Sequence, residues 1–170
     1  IVYSRPVLVP SEAGGEKDAE VGIVSDAFTT ARELYDITER SKALADIAEK
    51  QAKNGDKSGA KTKFETAIAT AMEIYVIPER SKALVEIARK QAEAGMFRDA
   101  FSTAMEIYDI TERSKALADI AEKQAKNVVK SGAKTTFETA ISTAMEIYDI
   151  TERSKALVEI ARKQSEARMF

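Results

Sequence analysis

The chain has 170 residues, a formal charge of -2 and a pI near 5.5, and it contains neither Cys nor His. That balance offers no electrostatic reason to expect nucleic acid or an anionic membrane as partner, and it excludes disulfides, Cys-containing zinc sites, thiol nucleophiles and His-based triads. No apolar run approaches the roughly 18–20 residues of a membrane-spanning helix, so no membrane is expected and a cytoplasmic location is favoured.

Residues 1–24 form an N-terminal region. Ile1 to Pro10 is apolar but interrupted by Arg5, Pro6 and Pro10, without a basic n-region or an unbroken h-region, which makes it an extended stretch rather than a signal peptide. Ser11 to Gly22 would be the first helix, though Gly14, Gly15 and a shortage of large apolar residues give it little intrinsic propensity. The region 25–170 is read as one repeat domain in which two kinds of helix, A and B, alternate.

Ser25 to Ile37 is a helix B. In the helix A from Glu39, residues Ala43, Leu44, Ile47, Ala48, Gln51 and Ala52 draw one stripe at helical spacing, with Thr38 as the expected N-cap and Asn54-Gly55 as the stop. Ala60, Phe64, Ala67, Ala71 and Ile74 mark the next helix B, which ends near Pro78. The same pattern predicts helix A over Glu79–Ala94, helix B over Arg98–Ile110, a further long pair, and a last helix A from Glu152.

The string Glu-Arg-Ser-Lys-Ala-Leu begins at Glu39, Glu79, Glu112 and Glu152, at intervals of 40, 33 and 40 residues. Periods of this size signal stacked repeats. Two of them make a 73-residue unit, and Ala27–Phe97 aligns without a gap to Ala100–Phe170 with 11 mismatches in 71 positions. The seven-residue difference falls in the turn and helix B, and seven residues are close to two helical turns, so B helices should alternate long and short with the same face inward.

Leu44, Ile47, Ala48, Gln51, Gly55-Asp56, Ala60, Phe64 and Ala67 stand at the spacing of the tetratricopeptide repeat consensus, and from Ser25 onward the chain resembles that family. Two features depart from it. Gln51, Gln91, Gln124 and Gln164 replace the usual aromatic of helix A, and neither interval equals the family's own. The resemblance implies an all-α, right-handed solenoid of stacked antiparallel helix pairs, with A helices lining a concave groove that binds a peptide or protein.

By that analogy the groove displays Lys42, Ala45, Glu49 and Lys53 from the first copy of helix A, and Lys82, Val85, Arg89 and Glu93 from the second. Lys115, Ala118, Glu122 and Lys126 follow, then Lys155, Val158, Arg162 and Glu166. Glu49 and Glu122 would face Arg89 and Arg162. No Asn stands in this row, which disfavours the family's clamp for a C-terminal carboxylate. The same charges also pair along their helices, as Asp46 with Lys50, Glu49 with Lys53, Glu86 with Lys90 and Glu122 with Lys126, each worth about 0.2–0.5 kcal/mol.

Tyr35, Tyr75, Tyr108 and Tyr148 recur near the ends of the B helices and are expected to pack between layers with the hydroxyl at the surface. The carboxylates lie at repeating, solvent-facing positions without a phosphate loop or a distinctive acidic cluster, so no catalytic residue, cofactor or metal is expected and the protein is read as not an enzyme. It is read instead as a protein-interaction scaffold. The alternative is a self-assembling structural module whose last helix A lacks a partner. Its homo-oligomer contacts would be Val128 and Val129, which replace Gly55-Asp56, and Leu157, Ile160, Met169 and Phe170 at the C-terminal end.

Overall fold

A computed structural model describes residues 27–127 and 129–170. The extended stretch and first helix expected within residues 1–26, and the contact expected at Val128, lie outside the described residues. These are all-helical, with no strand among them: α1 (27–32), α2 (Ile37–Lys53), α3 (Lys57–Met72), α4 (Ile77–Glu93), α5 (Phe97–Met105), α6 (Ile110–Lys126), α7 (Lys130–Met145) and α8 (Ile150–Glu166).

The A helices α2, α4, α6 and α8 start two residues earlier than expected, because the cap is an aspartate and not the threonine. Asp36, Asp109 and Asp149 each accept a hydrogen bond from the backbone N–H of Glu39, Glu112 or Glu152 at 2.9 Å. In α4 Val76 replaces that aspartate and makes no such bond, and Pro78 in the first turn supplies a preset φ instead. In three of the four Glu-Arg-Ser-Lys-Ala-Leu strings the serine turns inward, at Ser41, Ser81 and Ser114, where Leu44, Leu84 and Leu117 begin the fully buried stripe, whereas Ser154 is exposed.

The B helices α3, α5 and α7 contain 16, 9 and 16 residues, a difference of seven. Each ends at a methionine, earlier than the sequence suggested, and the following Glu-Ile-Tyr forms a turn. That turn buries Ile74, Ile107 and Ile147 and is tied down by an arginine of the next A helix. Arg40, Arg80 and Arg113 donate Nε–H to the carbonyls of Leu34, Ile74 and Ile107 at 2.7, 2.9 and 2.8 Å. These arginines therefore satisfy acceptors at a helix end that would otherwise need water.

Each B helix packs on the A helices before and after it, and consecutive A helices also pack on one another. Alanines dominate the contacts, with Phe64 and Phe137 as the largest buried side chains. Small side chains let the helices approach closely. At the opposite edge, α2 and α4 end in left-handed glycines, Gly55 at φ 100° and Gly95 at φ 71°. The substitution of Gly55-Asp56 by Val128-Val129 preserves the closing bond, since Val129 N–H reaches the Gln124 carbonyl at 3.0 Å as Asp56 N–H reaches that of Gln51 at 3.2 Å.

Candidate functional site

Two surfaces emerge from this packing: the charged row along the A helices and an apolar ridge along the B-to-A turns. The charged row is largely occupied with itself. Lys90 is buried and holds Asp46 at 2.5 Å and Glu49 at 3.3 Å from the preceding A helix, and Lys163 holds Asp119 at 2.8 Å and Glu122 at 3.0 Å in the same way. Between them, Lys123 of α6 pairs with Glu93 of α4. Asp46 thus crosses the interface where the sequence pairs it with Lys50 on its own helix.

Neither Glu49 nor Glu122 bonds an arginine, although the Glu49 charge acts on Arg89. Arg89 bonds Glu86 through two nitrogens and approaches Glu93 at 3.8 Å, while Arg162 bonds Glu159 and Glu166. Burial alone would push the Glu49 carboxyl upward, but the Lys53 and Lys90 ammonium groups hold it below the usual carboxylate range, and Lys126 and Lys163 do the same for Glu122. Burial acts to lower the Lys90 ammonium, yet Asp46 and Glu49 raise it.

Ala45 and Ala118 are fully buried, and Ala118 lines a depression of about 290 Å³ between α6 and α8 together with Lys115 and Lys155. Val85 is half-buried, whereas Val158, at the same position of α8, is 70% exposed. Lys42, Lys53, Lys82, Lys115, Lys126 and Lys155 project outward. At the C-terminal end Ile160 is buried beneath α6 and α7, contrary to its expected exposure, while Leu157 and Met169 are half-buried and Phe170 is fully exposed. Val129 is exposed at the start of α7, where it gives no side-chain cap.

The tyrosines overturn their expected packing. Tyr35, Tyr75, Tyr108 and Tyr148 are 97%, 93%, 72% and 100% exposed, because the isoleucine just before Tyr75, Tyr108 and Tyr148 takes the inward position of the turn. Met72, Met105 and Met145 at the ends of the B helices, with Val76, Ile77 and Ile150, extend this into a ridge along one edge. Shallow depressions of about 580 and 700 Å³ lie between successive turns, lined by Tyr108 with Tyr148 and by Tyr35 with Tyr75. Glu73, Glu106 and Glu146 flank it, exposed. The recurring Met-Glu-Ile-Tyr string was the available sequence signal, but periodicity alone could not tell which of its apolar residues faces in.

Among the described residues no helix is long and apolar enough to cross a membrane, and no group of three or more acidic side chains is arranged to hold a metal. No family model matches the chain, and no curated protein matches it. A solved structure that it resembles, Ton1535 from Thermococcus onnurineus NA1, is 21% identical with a TM-score of 0.48, covering 88% of this chain and 44% of that one. The chain spans less than half the length of that protein.

Proposed function

We propose that the chain is a non-catalytic protein-interaction scaffold, a tetratricopeptide-like solenoid of alternating 40- and 33-residue helix pairs. The observation that carries this reading is the ridge of Tyr75, Tyr108 and Tyr148 with the adjoining methionines. Tyrosine and methionine are enriched where proteins meet, and these exposed side chains recur at each B-to-A turn. The ridge, rather than the self-paired row on the A helices, is then the main contact surface.

The partner's chemistry follows from the flanks. Glu73, Glu106 and Glu146 stand beside the ridge, and Arg80 and Arg113 are engaged with backbone carbonyls. An extended polypeptide carrying apolar side chains interleaved with Lys or Arg fits this surface, and an anionic lipid does not. A panel of immobilised peptides with interleaved apolar and basic residues, against counterparts with Glu in place of Lys, tests it. Basic peptides should be retained, less so at high salt, and retention should be lost in a Tyr75→Ser/Tyr108→Ser/Tyr148→Ser variant but kept in Lys82→Glu. Retention insensitive to the tyrosines, or absent altogether, would overturn the reading.

A further inference from the structure

Building on the reading of the ridge as a contact surface for basic peptides, we infer that it holds two equivalent sites, one in each 73-residue unit, and that its ligand is one polypeptide carrying the same short motif twice, a Lys or Arg between apolar residues.

The depression lined by Tyr35, Glu73 and Tyr75 and the one lined by Tyr108, Glu146 and Tyr148 are one surface made twice. Of the ten residues around the first, eight recur unchanged 73 residues later around the second. Only the border changes, since Val76 and Glu79 complete the first and Ile77 and Pro78 the second. The turn into α4 does not repeat them. It reads Val76-Ile77-Pro78 where the turns into α2 and α6 read Asp-Ile-Thr, so like sites recur along the ridge at every second turn.

Within each depression most polar groups are already committed. Asp36 and Asp109 accept the backbone N–H of Glu39 and Glu112, and Arg40 and Arg113 donate to the Leu34 and Ile107 carbonyls. The Glu73 and Glu146 side chains are exposed, and among the described residues no hydrogen bond or ion pair engages either carboxylate. Each site therefore offers one uncommitted carboxylate beside two open tyrosine rings. A cation bound by that carboxylate can also lie over a ring face, while its apolar neighbours rest on the tyrosines and on the half-buried Ile37 or Ile110.

Two such motifs on one polypeptide can reach both sites. Consecutive A helices pack on one another, and at interaxial distances of about 8–10 Å two steps along the stack carry about 16–20 Å. An extended chain covers that with about five or six residues. Once the first motif is bound, the second meets its site at a high effective concentration, which raises affinity without any new kind of contact.

Titration of the full 170-residue chain with a peptide carrying one apolar-Lys-apolar motif, and with peptides carrying two at increasing separations, tests this. The single motif should bind at two per chain. The double motif should bind at one per chain and about tenfold or more tightly, best when the lysines stand about five or six residues apart. Glu146→Gln/Tyr148→Ser and Glu73→Gln/Tyr75→Ser, each with helicity unchanged by circular dichroism, should each reduce the single-motif count to one and remove the advantage of the double motif. A count of one in the unaltered chain, a count of two that survives either variant, or a double motif bound no more tightly at any separation would overturn the inference and leave the ridge as a contact surface. Failure of both peptides to bind would overturn the two together.

Discussion

Lys90 of α4 and Asp46 of α2 stand 2.5 Å apart across the contact between consecutive A helices, with Glu49 completing the ammonium's second ion pair. Two carboxylates of one helix share one buried cation of the next, so the lysine neutralises a like-charge pair as well as linking two layers. Lys90→Met keeps the apolar stem and removes the charge, leaving Asp46 and Glu49 to repel one another. We expect a loss of about 1.5 kcal/mol in urea unfolding, the lower end for charge-assisted bonds because the carboxylates remain in contact with water. Lys42→Met, at an exposed position, serves as the comparison; equal losses would show that the layer contact contributes nothing.

The same clusters determine the pH dependence. Glu49 and Glu122 are held below the ordinary carboxylate value of 4.5 in the folded state, so their stabilisation is present above that value and disappears as pH falls through the lowered one. Lys90 and Lys163 are raised above 10.5, so theirs is complete below that value and fades as pH climbs past it. Between these limits the urea midpoint should be flat. It should drop toward about pH 3, and Lys90→Met should show a shallower drop, because the carboxylates have lost part of what depressed them.

The start of α7 lacks what the start of α3 possesses. Asp56 accepts the Gly59 N–H at 2.8 Å and the Gln51 amide at 2.5 Å, whereas Val129 offers neither bond to Gly132 and Gln124. Val129→Asp should restore both and raise the melting temperature by about 2–4 °C, the shift expected of one N-cap in a chain of this length. No shift would mean that the substituted turn prevents the capping geometry.

How much of this was legible in the residues depends on the kind of order involved. Leu44, Phe64, Ala67 and Leu117 lie on buried stripes because a 3.6-residue period reports an inward face, and the seven-residue change in helix B survives in helices of 16 and 9 residues. The partner of Lys90 and the exposure of the tyrosines were not legible. Both depend on how one element lies against the next, which period does not encode: Asp46 could reach Lys50 on its own helix or Lys90 on its neighbour. In the string Ile-Tyr after a helix end, only the turn decides which side chain goes in.

Where α4 ends, Gly95 holds φ at 71° and donates its N–H to the Ala92 carbonyl at 3.0 Å, while Met96 N–H returns to that of Gln91 at 2.8 Å. The second copy places Arg168 at this position with φ 55° and closes the turn with the same two bonds. A Cβ at Gly95 would meet only the Lys57 ammonium at 3.5 Å, an ordinary contact, so the cost of a side chain there is backbone strain and not crowding. Gly95→Ala should therefore cost about 1–2 kcal/mol, the penalty of a left-handed residue with a Cβ. Arg168→Gly should move stability the other way, by less, because that turn carries no helix beyond it among the described residues. Urea midpoints of both variants check the pair; a neutral Gly95→Ala would show that the turn between α4 and α5 closes without a left-handed residue.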